Sequence, residues 1–264
     1  MSTPLFTPKT LLTPPIQRAA YSDRMAWILA QLTQLAYHPF ETDLDGLTTQ
    51  LTSGNFTLIT TFNQDDTQGF IVKTDTFAVL CFRGTKAKSK KDIKTDLKFR
   101  LKKAPSGAAH RGFLAAYNTV KPTITKTVET LDLPLYITGH SLGGALATLA
   151  AADLPHPKIA ACYTYGSPRV GNRRFEQTIK VPVYRIQNSS DIVTRLPMAI
   201  LTRYVHVGDL KFLTPHNQLR TSLHSLANRY FRIVSFFKNP KAAIDDHSIK
   251  NYVKKLRKVA TERN

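Results

Sequence analysis

Apolar and polar residues follow one rhythm in the first third of the chain and another in the remainder. In the first third, large apolar residues recur at helical spacing across residues 17–40, and Pro39 ends that stretch. Runs rich in β-branched and aromatic residues follow at 56–62, 69–73 and 76–82, separated by polar turns. This part of the chain is expected to hold one amphipathic helix and three strands.

Helical and strand-like segments alternate from residue 113 onward. The pattern predicts helices at 113–131, 142–152 and 171–179, and strands at 134–138, 158–165, 181–187 and 203–208. Such alternation is typical of a mostly parallel sheet with helices packed on its faces. The sequence therefore predicts an α/β fold, with a flexible segment at 1–16 followed by a single domain at 17–264.

Composition adds expectations about location and redox state. No apolar run is long enough to span a bilayer, and residues 1–15 lack the charged start and apolar block of a Sec signal. We expect a protein of the cytoplasm, or one exported by a route other than Sec. Cys81 and Cys162 both lie in strand-like runs, which predicts buried and reduced thiols.

A Gly-x-Ser-x-Gly pentapeptide at 139–143 is the most informative motif. It lies between a short β-branched run and an alanine-rich segment, so Ser141 is expected at a sharp turn from a strand into a helix. Such a turn pushes the serine hydroxyl out of the backbone surface, where it can attack a carbonyl carbon. The motif in this context predicts a serine hydrolase.

A serine nucleophile needs a base, and the base needs an acid. In folds with this turn the acid and then the histidine follow the serine along the chain, each in a loop after a later strand. Asp191 follows the strand at 181–187, with Asp209 as its alternative. Of the later histidines, we choose His247, which precedes the last helix; the others are His206, His216 and His224.

The negative charge that develops on an attacked carbonyl oxygen also needs hydrogen-bond donors. One is the backbone N–H of Leu142, directly after the serine. The second donor must come from the loop after an earlier strand, and Thr85 stands at the end of the strand at 76–82. Leu142 and Thr85 are therefore the predicted oxyanion hole.

Five motifs, taken in order, resemble the series found in the fungal-type or class 3 lipases. They are Phe-Arg-Gly-Thr at 82–85, His-Arg-Gly-Phe at 110–113, the segment 139–145, Thr-Tyr-Gly-Ser-Pro-Arg-Val-Gly-Asn at 164–172, and the segment 246–252. The resemblance spans roughly residues 20–256 and implies an α/β-hydrolase fold, a Ser141–Asp191–His247 triad and an oxyanion hole at Thr85 and Leu142. In that fold the strand before Ser141 separates the two cysteine-bearing strands, so the thiols stand about 9.6 Å apart, too far for a disulfide.

The charge is strongly basic, with 37 Lys and Arg against 18 Asp and Glu and a net charge of +19. Where lipases of the family carry a lid, residues 86–100 form a short and very basic segment with few large apolar residues. It could recruit an anionic lipid surface, or it could be a solvated loop that keeps the protein soluble. We expect no specific nucleic-acid binding and no metal or cofactor, because no matching motif is present.

A second segment, 219–237, has an apolar stripe opposite basic and polar residues. It predicts an amphipathic helix that docks on the core or lies on a membrane surface. The sequence leaves the oligomeric state open.

Together these patterns predict a carboxylic ester hydrolase that acts on lipid esters, first as a triacylglycerol lipase. The alternatives are a phospholipase A1 and an esterase for soluble esters of the feruloyl type. Outside the enzymes, the competing hypothesis is a basic module that only binds lipid surfaces.

Overall fold

The computed structural model describes residues 4–13, 19–85, 109–155, 157–198, 203–221 and 244–263. The predicted lid at 86–100 lies outside these ranges. So does the predicted amphipathic helix, apart from its first three residues, of which Leu219–Arg220 form a strand rather than a helix.

An eight-stranded sheet forms the centre of the fold, with its strands in sequence order. The strands are β1 (Thr57–Gln64), β2 (Thr67–Lys73), β3 (Ala78–Phe82), β4 (Leu135–His140), β5 (Ile159–Tyr165), β6 (Val183–Asn188), β7 (Asp209–Leu213) and β8 (Leu219–Arg220). Pairing is parallel from β3 to β7 and antiparallel at both edges. The predicted mostly parallel sheet is confirmed.

Six α-helices flank the sheet within the described residues. They are α1 (Asp23–Leu35), α2 (Leu44–Ser53), α3 (Arg111–Val128), α4 (Leu142–Asp153), α5 (Arg173–Thr178) and α6 (Ile249–Glu262). Helix α1 is shorter than the predicted 17–40, because the Ser22 side chain caps its first turn by accepting from the Met25 N–H. Helix α2 was not predicted.

The predicted strand at 203–208 is wrong, since β7 begins only at Asp209. Tyr204 and Val207 are buried, but they lie three residues apart with two residues of intermediate exposure between them, so burial does not alternate here as it does in a strand. Backbone φ angles of 57° at Arg203 and 79° at Gly208 interrupt the extended conformation at both ends of this segment. Within the described residues, an isolated bridge from Val205 to Gly171 links this segment to other backbone.

The sheet separates two apolar layers. Alternate residues of β3 face opposite sides, with Val79 and Cys81 in the layer that includes α1 and α6, and Leu80 in the layer that includes α3 and α4. Cys162 lies in the second layer. The two thiols therefore face opposite sides of the sheet, and both are free and buried as predicted.

The N-terminal residues contribute to the first layer. Phe6 and Leu11 are both buried within it, so at least this part of the segment predicted as flexible packs against the rest of the chain. The division into 1–16 and 17–264 stays a prediction. No helix among the described residues has the length and apolar character required to cross a bilayer.

Candidate active site

Ser141 occupies a strained turn between β4 and α4. Its φ of 58° and ψ of −125° lie outside the regions that a residue with a side chain normally adopts. The turn is tight because a Cβ on Gly139 would stand 2.2 Å from the carbonyl oxygen of Gly143, which no side chain could tolerate. The pentapeptide therefore encodes the sharp turn that the sequence predicted.

Ser141 and His247 form a hydrogen bond although 106 residues separate them. His247 Nε2 lies 2.9 Å from Ser141 Oγ, and the other ring nitrogen, Nδ1, lies 3.0 Å from both carboxylate oxygens of Asp191. An ionised carboxylate can only accept, so Nδ1 carries the hydrogen and Nε2 is free to accept the serine proton. All three side chains are buried.

The Asp191 carboxylate is held on both of its oxygens. Oδ1 accepts from the Val193 N–H at 2.9 Å, and Oδ2 accepts from the Tyr252 hydroxyl at 2.6 Å. Together with the Nδ1–H of His247, these donors fix the direction in which the carboxylate faces the ring.

Gly166 lies directly against the Asp191–His247 pair. Its φ is +57°, and a Cβ there would stand 2.6 Å from Asp191 Oδ2 and 3.0 Å from His247 Nδ1. Glycine leaves room for the two side chains to meet and adopts the left-handed backbone without strain.

Polar contacts tie the loop that carries Asp191 to the loop that carries His247. The Asp246 carboxylate accepts from the backbone N–H and the hydroxyl of Ser190, at 3.0 and 2.7 Å. From α6, Lys255 Nζ donates to Asn188 Oδ1 and Ser189 Oγ, at 2.6 and 3.0 Å. Burial lowers the pKa of this lysine below its ordinary value. The acid and the base are thus positioned relative to each other by their neighbours as well as by their own bond.

A second histidine, His140, packs beside His247, with ring centroids 4.5 Å apart. Its Nε2 lies 2.6 Å from the backbone carbonyl of His247 and its Nδ1 2.8 Å from the Tyr37 hydroxyl. A carbonyl can only accept, so His140 donates through Nε2 and accepts from Tyr37 at Nδ1. Burial, and then the proximity of His247, hold the pKa of His140 well below its ordinary value, so this ring is neutral.

The predicted oxyanion donors belong to two segments of the chain that come close to Ser141. Leu142 is the first residue of α4, where backbone N–H groups have no partner within the helix. Thr85 follows Gly84, which is close to the nucleophile: a Cβ on Gly84 would stand 3.3 Å from that of Ser141. Both donors therefore belong to segments that meet at the nucleophile.

Buried Arg83 anchors the chain just before Thr85. Its guanidinium pairs with Glu41, donates to the carbonyl oxygens of Ala36 and His38, and lies 4.2 Å from the centroid of the Phe40 ring. These contacts tie the end of β3 to the segment after α1.

The structure brings together Ser141, Asp191 and His247 and leaves the alternative residues elsewhere. Asp209 begins β7 and is exposed, and His206 and His216 are not the histidines that contact Ser141. His224 lies outside the described residues. Within those residues, no group of three His, Cys, Asp or Glu side chains is arranged to hold a metal ion.

Sequence reasoning assigned no role to four residues around the site, namely Tyr252, Gly166, His140 and Arg83. Each of them stands inside one of the five motifs, so their positions carried a signal. Their functions depend on contacts between distant parts of the chain, which the motifs do not reveal.

Residues 79–201 match the family model described as lipase (class 3). A lipase of Rhizopus niveus is 36% identical over 161 residues, which cover 53% of this chain and 41% of that protein. The chloroplastic phospholipase A(1) DAD1 of Arabidopsis thaliana is 37% identical over 108 residues, which cover 34% of this chain and 24% of that protein. This chain thus spans well under two thirds of the length of either relative.

The fold also resembles solved structures. The Rhizomucor miehei lipase in its propeptide complex superposes with a TM-score of 0.66 at 26% identity, over 86% of this chain and 80% of that one. The strained turn at Ser141 and the loop of Asp191 both lie within residues 79–201, which match the family model. In its ordered motifs, in its sheet topology and over residues 79–201, the chain is similar to the class 3 lipases.

Proposed function

We propose that the protein is a serine ester hydrolase acting on lipid esters, with triacylglycerols as the first substrate class. The observation that carries the proposal is the buried array in which His247 links Ser141 and Asp191 through contacts of 2.9 and 3.0 Å. Ser141, Asp191 and His247 are its proposed catalytic residues. Thr85 and Leu142 are its proposed oxyanion hole.

In the first half of the proposed reaction, Ser141 Oγ attacks the ester carbonyl carbon as its proton passes to His247 Nε2. The carbonyl oxygen becomes an oxyanion and accepts hydrogen bonds from the N–H groups of Thr85 and Leu142. The carbon–oxygen bond to the alcohol then breaks, and His247 returns the proton to the leaving oxygen. The acyl group stays on Ser141.

Water completes the cycle. His247 removes a proton from a water molecule, whose oxygen attacks the acyl carbon; collapse of the second tetrahedral species frees the fatty acid and returns the proton to Ser141. Asp191 stays ionised throughout and stabilises the imidazolium in both halves. Each turn of the cycle consumes one water and releases one alcohol and one acid.

The assignment to lipid esters is supported by the names of similar proteins, which include a lipase and a phospholipase A(1). The second of these keeps phospholipids as the alternative substrate class. The excess of basic residues favours contact with anionic lipid surfaces, which we propose as a peripheral partner.

The test compares wild type with Ser141→Ala on a triolein emulsion, on phosphatidylglycerol vesicles and on methyl ferulate, each at low and high salt. Ser167→Ala is the matched control, because Ser167 is also a buried serine, but its hydroxyl donates to the carbonyl of Pro168 rather than to a histidine. We expect Ser141→Ala to lose on the order of 10⁴-fold or more in turnover, while Ser167→Ala stays active.

The outcomes separate the hypotheses. Faster release of fatty acid from triolein supports a triacylglycerol lipase, and faster release from vesicles supports a phospholipase. Activity confined to methyl ferulate would overturn the lipid assignment. If wild type neither hydrolyses any of the three substrates nor reacts with a fluorophosphonate, but still binds vesicles, the protein is a lipid-binding module and the proposal fails.

A further inference from the structure

A cleft of about 730 Å³ lies between α1, α6 and residues 4–7. Its volume is in the range of cavities that bind small molecules. None of its lining residues belongs to the Ser141–His247–Asp191 array.

Two buried side chains of α1, one helical turn apart, line this α1–α6 cleft with unused donors. Trp27 and Gln31 are 1% and 2% exposed. Trp27 Nε1 and Gln31 Nε2 have no hydrogen-bond partner among the described residues. Gln31 Oε1 already accepts from the Phe6 N–H, so its amide nitrogen is the group left over. Buried donors are nearly always paired, and two unpaired ones in one cleft indicate an absent acceptor.

The α6 side of the cleft is cationic. Lys250, Lys254, Arg257 and Lys258 line it at spacings of four, three and one, which places them along one face of the helix. The one carboxylate among the described lining residues is that of Glu262, which lies 3.6 Å from Lys258. The cleft therefore combines neutral N–H donors with an excess of positive charge, a combination suited to an anion.

Part of the lining is apolar. Leu5 and Val253 contribute aliphatic surface beside the Trp27 ring. A small inorganic ion would leave this surface unused, whereas an anion with a hydrocarbon portion would contact both parts of the cleft. The anionic group is better matched by a phosphate than by a carboxylate. A carboxylate carries a single charge and would leave most of the four cations unpaired, whereas phosphate oxygens bind both guanidinium and ammonium groups.

We propose that the α1–α6 cleft binds the phosphate group of an amphiphilic phosphate ester, such as a phospholipid headgroup. The phosphate oxygens accept hydrogen bonds from the cationic side chains of α6 and from the unpaired donors of α1. The hydrocarbon portion contacts Leu5, Val253 and Trp27. This site is separate from the proposed catalytic site, and its occupancy does not depend on hydrolysis.

The chain has a built-in reporter, because Trp27 is its single tryptophan. The experiment titrates the full-length Ser141→Ala protein with monomeric dihexanoylphosphatidic acid and with inorganic phosphate, following tryptophan emission and the heat of binding. We expect saturable binding of the lipid, at least about tenfold tighter than that of inorganic phosphate. Equal affinity for the two would overturn the lipid part of the proposal and identify a free-phosphate site.

Variants test the location. Lys254→Ala with Arg257→Ala should weaken lipid binding at least about tenfold, the change expected on loss of two charged contacts. The matched control is Lys126→Ala with Arg174→Ala, which removes the same charge from exposed positions of α3 and α5. Gln31→Glu keeps an acceptor for the Phe6 N–H but replaces the donor with a carboxylate, so it should also weaken binding. No heat of binding with either ligand, or equal effects of the cleft pair and the control pair, would overturn the proposal.

Discussion

The Tyr252 hydroxyl donates a 2.6 Å hydrogen bond to Oδ2 of Asp191, an oxygen that also lies 3.0 Å from His247 Nδ1. The same hydroxyl accepts from the Asn188 N–H at 3.0 Å. Tyr252 lies on α6, five residues after His247. The first turns of α6 therefore hold the Asp191 carboxylate in place, and the residue before the helix's N-cap is His247, the proposed base.

Replacing Tyr252 with Phe should lower kcat about tenfold and leave KM nearly unchanged. The variant removes one hydrogen bond to a charged group, worth about 1.5–3 kcal/mol, while the ring and its packing stay. Steady-state kinetics on a soluble p-nitrophenyl ester would measure the effect. Asn188 also loses its acceptor, so a urea titration must show that the variant is folded; an unchanged kcat in folded protein would contradict a positioning role for Tyr252.

Gly166 and Gly208 offer a matched pair for testing the space beside Asp191. Both have positive φ, 57° and 79°, so the backbone conformation by itself should make alanine cost about 1–2 kcal/mol of stability at either position, before any clash of the new Cβ. At Gly166 the new Cβ would also stand 2.6 Å from Asp191 Oδ2, whereas at Gly208 it would meet the carbonyl oxygen of Val183 at the other end of β6.

We therefore expect Gly166→Ala to lose stability and at least about tenfold in kcat, and Gly208→Ala to lose stability alone. Urea titrations and kinetics at a temperature where both variants are folded would separate the two effects. Equal kcat values for the two variants would show that the close contact at Gly166 does not matter for the reaction.

The sequence was sufficient for the elements and residues whose signals are local. The turn at Ser141 follows from two glycines within five residues, and the order serine, acid, histidine along the chain reduced the candidates to a small set that included Asp191 and His247. Parallel pairing followed from the alternation of helices and strands. Each of these features is determined by neighbouring residues or by a general rule of topology.

Features created by distant contacts could not be predicted. The strand expected at 203–208 failed because positive φ angles at Arg203 and Gly208 interrupt the extended backbone, and the apolar pattern does not reveal them. The local pattern places Arg83 at the end of a strand, but it does not reveal its partner Glu41, which lies 42 residues earlier in the chain. Similarly, the unpaired donors at Trp27 and Gln31 become visible only when α1 and α6 are packed together.

Replacing Arg83 with Met should destabilise the protein by about 1–3 kcal/mol, because it removes a buried charged donor that bonds Glu41 and two backbone carbonyls. Urea denaturation would measure this loss. The double variant Arg83→Met with Glu41→Gln is the control, since it removes both charges and should recover part of the stability. A single variant as stable as wild type would show that the contacts of Arg83 contribute nothing net to stability.

Protonation of His140 should weaken the fold in mild acid. In the unfolded chain this residue has an ordinary pKa of about 6.5, and in the folded chain burial and His247 lower that pKa. Between the two values the unfolded state binds more protons, so the free energy of unfolding falls as the pH drops below about 6.5, by up to about 1.4 kcal/mol per pH unit from this residue. The loss ends once the pH is below the folded pKa.

His140→Gln removes the titrating group and keeps a donor for the His247 carbonyl, so urea titrations between pH 5 and pH 8 should show that stability falls less steeply with acid than in wild type. His216→Gln, at an exposed position, is the control for loss of a histidine as such, and an equally steep acid limb in His140→Gln would exclude His140 as the source of the acid sensitivity.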